Sequence, residues 1–242
     1  MEAVALILLL FLIALVGAHL GSPAVKGARG ERRVNSILES KLPSREYKVF
    51  HDLTLESSRG PTQIDHVVVS RYGIFVIETK NYAGWIFGSA RSRQWTQVIY
   101  REKNSFQNPL HQNFKHTKAV ESFLSLSPRQ VHSIVVFVGD AEFKTDLPDN
   151  VVRVSELGPY IASFQDLLLD TNHVRSIAMM LGDYKEGRKV QRSSAPVIAR
   201  REPHCPKCDR PMVLRKARKG KSVGKEFWGC PGYPKCRGVR NL

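Results

Sequence analysis

Cysteine is missing from the first 204 residues of this 242-residue chain. A main domain stapled by disulfides is thereby excluded. Internal repeats are missing too, which excludes a solenoid. Acidic residues are scarce near the C-terminus. From Lys185 onward there are 4 Asp+Glu against 17 Lys+Arg, a net of +13, while the first 184 residues hold 18 acids and 20 bases, a net of +2, for +15 in all. That asymmetry places the attraction for a polyanion, nucleic acid or an acidic membrane surface, in the tail. The near-neutral portion before it is long enough for one ordinary domain, and 42% apolar residues allow it a core.

The first residues lack Lys and Arg as well. Ala3 to Leu20 is an apolar run of 18 residues broken only by Gly17 and His19, at the lower limit for a spanning helix. A secretory signal would need a basic start, and only Met1-Glu2 precedes the run, although Val16-Gly17-Ala18 offers small residues for cleavage. Lys26, Arg29, Arg32 and Arg33 follow at once. The positive-inside rule therefore predicts a single-pass anchor over 1–21 with the bulk of the chain in the cytoplasm. A reducing cytoplasm suits four unpaired thiols.

Periodicity predicts a linker over Gly21–Gly30 and a helix over Glu31–Leu42. Strands follow at 47–55, 63–69 and 74–80, the last two joined around Ser70-Arg71-Tyr72-Gly73, with shorter ones at 85–88 and 94–100. A helix entered by Asn108-Pro109 spans 110–126. Val131–Val138 reads as a strand buried on both faces, and 151–154 as a short one. Helices are expected over 155–169 and 172–181. This order predicts an α/β (α+β) domain over 22–184, one mixed sheet flanked by helices. A basic linker over 185–203 and a small module over 204–242 complete the chain.

The sharpest signal lies in the hairpin. Side chains alternate along a strand, so Glu78 and Lys80 share a face. A turn centred on Arg71-Tyr72 pairs Val69 with Ile74, Val67 with Val76 and Asp65 with Glu78. Opposite residues have Cβ atoms roughly 5 Å apart, so two carboxylates would meet and repel. A divalent cation removes that conflict. Mg²⁺ or Mn²⁺ held by Asp65 and Glu78 would acidify a water for attack on a phosphodiester, with Lys80 positioning that water or offsetting phosphate charge. The plainer alternative is a solvated sheet edge. His66 points to the other face as a packed or edge histidine. His116, one helical turn after Gln112, could line the cleft but reads first as a solvated helix face, and Trp85 and Trp95 read as core or edge packing rather than base-stacking platforms.

Residues 27–125 resemble the nuclease-related domain, a branch of the restriction-endonuclease-like superfamily. The resemblance rests on Gly30-Glu31-Arg32, Gln63-Ile64-Asp65-His66-Val67-Val68-Val69, Gly73 to Asn81 with its Glu78-Thr79-Lys80, Gly84-Trp85-Ile86, and Asn108-Pro109 followed by Gln112. It implies a restriction-endonuclease-like mixed sheet and a metal site of Asp65, Glu78 and Lys80. It also implies an added acid on the first helix, Glu31, and a polar residue on the following helix, Gln112.

The cysteines follow C-x2-C-x21-C-x5-C at Cys205, Cys208, Cys230 and Cys236. Four thiolates close a structural tetrahedral Zn²⁺ site and supply the folding energy that so small a module lacks. Two disulfides are the competing arrangement. Arg215, Lys216, Arg218, Lys219 and Lys221, with Phe227 and Trp228, could grip phosphates and stack on unpaired bases. Phe227-Trp228-Gly229-Cys230-Pro231-Gly232-Tyr233-Pro234-Lys235-Cys236 is similar to the C-terminal zinc finger of type IA DNA topoisomerases, which binds DNA, preferentially single strands. The chain is too short for the topoisomerase catalytic domain, so that activity is not expected. The combined expectation is a membrane-anchored, metal-dependent DNA nuclease with a zinc finger and no small-molecule cofactor. The alternative is a non-catalytic DNA-binding or tethering protein on the same scaffold; a tail that binds anionic lipid is a third reading.

Overall fold

The computed structural model describes residues 22–57, 60–188, 205–208, 210, 212–217, 224 and 226–241. The expected membrane segment and residues 189–203 of the expected linker lie outside these. Among the described residues no helix is long and apolar enough to cross a membrane. The chain divides into two compact units, with the boundary between Ala195 and Pro196.

The first unit opens on helix α1 (Pro23–Lys41). It begins well before the expected start, because Ser22 caps it, accepting from Val25 N, and Pro23 takes the first turn. The glycines that suggested a linker have a packing reason at Gly30, where a Cβ would lie 2.9 Å from Asn81 Cβ. Strands β1 (Lys48–Ser57), β2 (Gly60–Ser70) and β3 (Gly73–Lys80) form an antiparallel meander, with Val69 opposite Ile74 and Val67 opposite Val76. Strands β7 (Val131–Phe137) and β9 (Val151–Arg153) extend it in parallel, in the order β1-β2-β3-β7-β9.

The sequence analysis expected one mixed sheet, but this unit holds a second. Strands β4 (Gly84–Phe87), β5 (Gln94–Ile99), β6 (Glu102–Gln107) and β8 (Ala141–Phe143) lie in the order β6-β5-β4-β8. The parallel pair β3–β7 is continued by the parallel pair β4–β8, so this sheet grows from the C-terminal ends of the central strands. Strand β6 has no apolar alternation and is mostly exposed; edge pairing to β5 creates it rather than its own pattern. The helix expected over 155–169 shrinks to α3 (Leu157–Ala162), since Leu168 and Leu169 instead donate their amides to Arg71 O.

Two apolar layers result. On one face of the larger sheet, Val34 and Leu38 of α1 meet Val68, Phe75, Ile77, Ile134 and Val136. On the other, Val135 and Phe137 meet Ile86 and Trp95 of the second sheet, and the Trp95 ring stacks on Phe137 at 6.2 Å. Helix α2 (Pro109–Leu124) also packs on this face. Two buried asparagines hold it. Asn108 caps it, accepting from Leu110 N, while its amide donates to Ser89 O and Ser92 O. Asn113 Nδ2 lies 2.9 Å from Val76 O, Ser133 Oγ and Ile134 O. Helix α4 (Thr171–Lys185), capped by Asp170, closes the unit, with Tyr184 edge-on to Phe123 of α2 at 4.8 Å.

Asn113→Ala should lower stability by about 2 kcal/mol, because two strand carbonyls would lose buried donors. Chemical denaturation should show the drop, and an unchanged midpoint would refute the anchoring role of Asn113.

Candidate functional site

The hairpin ladder between β2 and β3 ends at His66 opposite Ile77. One step further, at Asp65 and Glu78, the backbone ladder gives way to a side chain: Thr79 N donates to Asp65 Oδ2 at 2.7 Å. The alternation of β3 then presents Glu78 and Lys80 towards the face that carries α2. Glu78 is 2% exposed. Lys80 Nζ donates to Glu78 Oε1 at 2.7 Å and to Gln112 Oε1 at 3.0 Å. Asp65, Glu78, Lys80 and Gln112 are therefore brought together.

His116 joins them, in contrast to the solvated position expected. It is 5% exposed, with Nε2 3.1 Å from Glu78 Oε2 and Nδ1 2.9 Å from Thr62 Oγ1. Its spacing from Gln112, one helical turn, was the available signal; only the burial of that helix face distinguishes it from a surface histidine. The approach of Nε2 to Oε2 is not aligned as a hydrogen bond, and both atoms are buried without a directed partner. The oxygen donors here that could hold a divalent cation are Asp65 and Glu78, whose Oε2 has no directed hydrogen-bond partner. Glu31 acts on Asp65 through its charge. Among the described residues the acids do not form a preassembled group of three ligand atoms; the four cysteines do.

Glu31, Arg32, His51, Asp52, Asp65 and His66 line an open cleft of about 410 Å³. Burial, then the carboxylate of Glu78, pushes Asp65 up to about 7, with Glu31 adding to the rise and the Thr79 amide opposing it. Burial also raises Glu31, helped by Asp52 and Glu78. His66 packs as expected, 1% exposed, and burial brings it down to about 4.

The second unit is a three-stranded antiparallel sheet of β10 (Val213–Lys216), β11 (Glu226–Gly229) and β12 (Val239–Asn241). Cys205, Cys208, Cys230 and Cys236 bring their sulfurs within 4.8 Å of one another. The contacts Cys205–Cys236 and Cys208–Cys230 are 3.6 and 3.5 Å, far longer than a disulfide. All four are free thiols, and the set fits one tetrahedral Zn²⁺. Backbone turns support it: Gly232 N donates to Cys230 Sγ, and Cys230 N to Gly238 O. Gly238 must be glycine, because a Cβ there would sit 2.1 Å from Cys205 Sγ.

Of the expected nucleic-acid contacts, Arg215 and Lys216 are exposed and Phe227 is half-buried. Trp228 corrects the expectation. It is 9% exposed and packs with Met212, Cys205 and Cys230, because strand alternation turns it from the Phe227 face to the cysteines. Tyr233, 61% exposed, is the accessible ring that the sequence reading passed over. Arg218, Lys219 and Lys221 lie outside the described residues.

Two outcomes follow. Gly238→Ala should reduce bound zinc well below one per chain, measured by elemental analysis; full retention would show that the sulfur shell tolerates the methyl group. The Asp65 carboxyl titrates higher folded than unfolded, so its ionisation costs stability that is intact below about pH 4 and is lost as pH rises towards 7. Without divalent cations, Asp65→Asn should therefore be more stable than the parent at pH 8, by up to about 4 kcal/mol. The two should converge at pH 4, and parallel melting curves across that range would refute the assignment.

Residues 26–138 match the family model of the nuclease-related domain, and residues 202–242 match that of the topoisomerase DNA binding C4 zinc finger. An uncharacterized protein of Bacillus anthracis is 38% identical over 181 residues, which cover 73% of this chain and 84% of that protein. The chain belongs to the nuclease-related domain family and joins that domain to a topoisomerase-type C4 zinc finger.

Proposed function

We propose that the protein is a metal-dependent nuclease acting on DNA, held on its substrate by the zinc finger. The observation that carries this reading is the buried Glu78 held against half-buried Lys80, which Gln112 also engages, and against buried His116, next to half-buried Asp65, which lines the open cleft. Burying two carboxylates together is costly, and replacing such groups with apolar ones often stabilises a protein. Their presence in an otherwise apolar hairpin therefore points to chemistry rather than stability.

Asp65 and Glu78 would hold Mg²⁺ or Mn²⁺. The bound cation supplies an acidified water and stabilises charge developing on a phosphodiester. Gln112 fixes the Lys80 ammonium, and Lys80 offsets charge on the phosphate or holds the incoming water. His116, itself anchored by Thr62, keeps Glu78 turned into the site. Glu31 adds negative potential at Asp65. The apolar run Ala3–Leu20, followed by a cluster of bases, supports a membrane anchor with these units in the cytoplasm.

One observation favours the alternative, a DNA-binding scaffold that does not cut. Glu78 Oε1 is already paired with Lys80, and Asp65 Oδ2 with the Thr79 amide. Labelled single- and double-stranded DNA incubated with the purified protein, with and without Mg²⁺ or Mn²⁺, decides between the two. The expected result is metal-dependent cleavage that falls at least 100-fold, on the order expected for loss of a metal ligand or transition-state donor, in Asp65→Ala and Glu78→Ala. Salt-sensitive binding without cleavage would establish the scaffold instead.

A further inference from the structure

The second sheet has an outer face that no element of its own unit covers among the described residues. Pairing register defines it. Trp85 lies opposite Val98 on one side and Glu142 on the other, and Val98 lies opposite Lys103. In the next row Phe87 faces Thr96, and Thr96 faces Ser105. Directly opposite residues share a face, so Trp85 and Phe87 stand side by side with small and β-branched neighbours between the flanking strands. Trp85 is 49% exposed and Phe87 37%, while Ile86 and Trp95 on the reverse are fully buried.

The surroundings are basic. Lys103 lies at one end of the Trp85 row, and Lys144 Nζ sits 4.6 Å from the centroid of the Trp85 ring. Arg91 and Arg93 are exposed in the loop between β4 and β5, and Arg101 in the turn between β5 and β6. The acid on the Trp85 row, Glu142, is already paired with Lys144. At that same turn Tyr100 is 98% exposed with φ of 53°, a left-handed conformation that a bulky side chain adopts only at a cost. An unburied ring held in a strained turn gains nothing from packing. The face is attached to the site at both ends: Trp85 lies five residues beyond Lys80, and β6 runs into the Asn108 cap of the helix that bears Gln112.

We propose that this face is a stacking platform for single-stranded nucleic acid. Bases of an unpaired strand would lie on Trp85, Phe87 and Tyr100, with phosphates met by Lys103, Arg101 and Arg91. Aromatic rings flanked by cations are what an unpaired strand requires, since its bases offer open ring faces and its backbone a line of charge. A duplex hides its bases, and this flat surface has no helix to enter a groove. The assignment names the substrate form for the nuclease reading and rests on that reading only for what the bound strand is for.

The test uses the full chain with zinc in place and no Mg²⁺ or Mn²⁺, so cleavage plays no part. A 20-nucleotide thymidine oligomer carrying iodouracil is photocrosslinked and the attachment points are mapped by mass spectrometry. Crosslinks are expected at Trp85, Phe87 or Tyr100, in addition to any in the zinc finger. Affinity for the same oligomer should fall about tenfold in the double variant Trp85→Ala/Phe87→Ala. It should also fall, with a shallower salt dependence, in Arg101→Glu/Lys103→Glu, which touches only exposed side chains. Crosslinks confined to the zinc finger, with both variants binding as the parent does, would overturn the platform. A matching duplex that depends equally on these residues would overturn the single-strand assignment. Cleavage that later fails with added metal would remove the nuclease reading and leave this binding result standing.

Discussion

The first unit is organised around one buried carboxylate. Glu78 sits where the β2–β3 ladder stops, on a central strand whose preceding residues are fully buried. An ionised group there needs compensation, and the structure places two groups against it, Lys80 from the same strand and His116 from α2, while Asp65 beside it adds a second acid. Each compensating group needs its own support. Lys80 leans on Gln112, and His116 on Thr62. The docking of α2 is in turn secured by Asn113, which reaches the backbone of both central strands. Removing the carboxylate would leave this polar set with nothing to neutralise, which is why the cluster reads as a unit.

Asp65 plays a different part. Its carboxylate takes the amide that a continuing ladder would have engaged, so the two strands separate where the acids need room. The same residue lines the cleft with Glu31 and Asp52. Negative charge gathered at a partly desolvated opening raises the affinity for a cation and simultaneously raises the cost of leaving that cation out.

The two units solve the problem of small-domain stability by different means. The first buries apolar residues on both faces of its larger sheet. Among its described residues the second has a core of Cys205, Met212, Trp228 and Cys230, with Cys236 packed against it. So little apolar surface cannot offset chain entropy, and the four thiolates complete the fold only when a metal binds them. That demand explains the placement of Trp228. Its ring packs on the sulfurs, while Tyr233, Arg215 and Lys216 are exposed.

The hairpin was legible because its information is local. Period-two alternation and a two-residue turn define the register, which runs as far as His66 opposite Ile77 and so brings Asp65 and Glu78 to neighbouring strand positions one step beyond. The cysteine spacing was legible for a similar reason, since metal geometry imposes it on sequence. Other features depend on partners remote in the chain. The spacing of His116 from Gln112 puts the two on one helix face but does not mark that face as buried, because burial arises only when α2 docks on β3 and β7. The early start of α1 was obscured by glycines whose value lies in the approach of Asn81, and β6 exists only as the pairing partner of β5. The sequence by itself determined the residue chemistry, the strand register and the metal-ligand pattern, all set by short-range periodicity. The tertiary structure decided which of those side chains are desolvated and which remain in water, because desolvation depends on elements that meet across the fold.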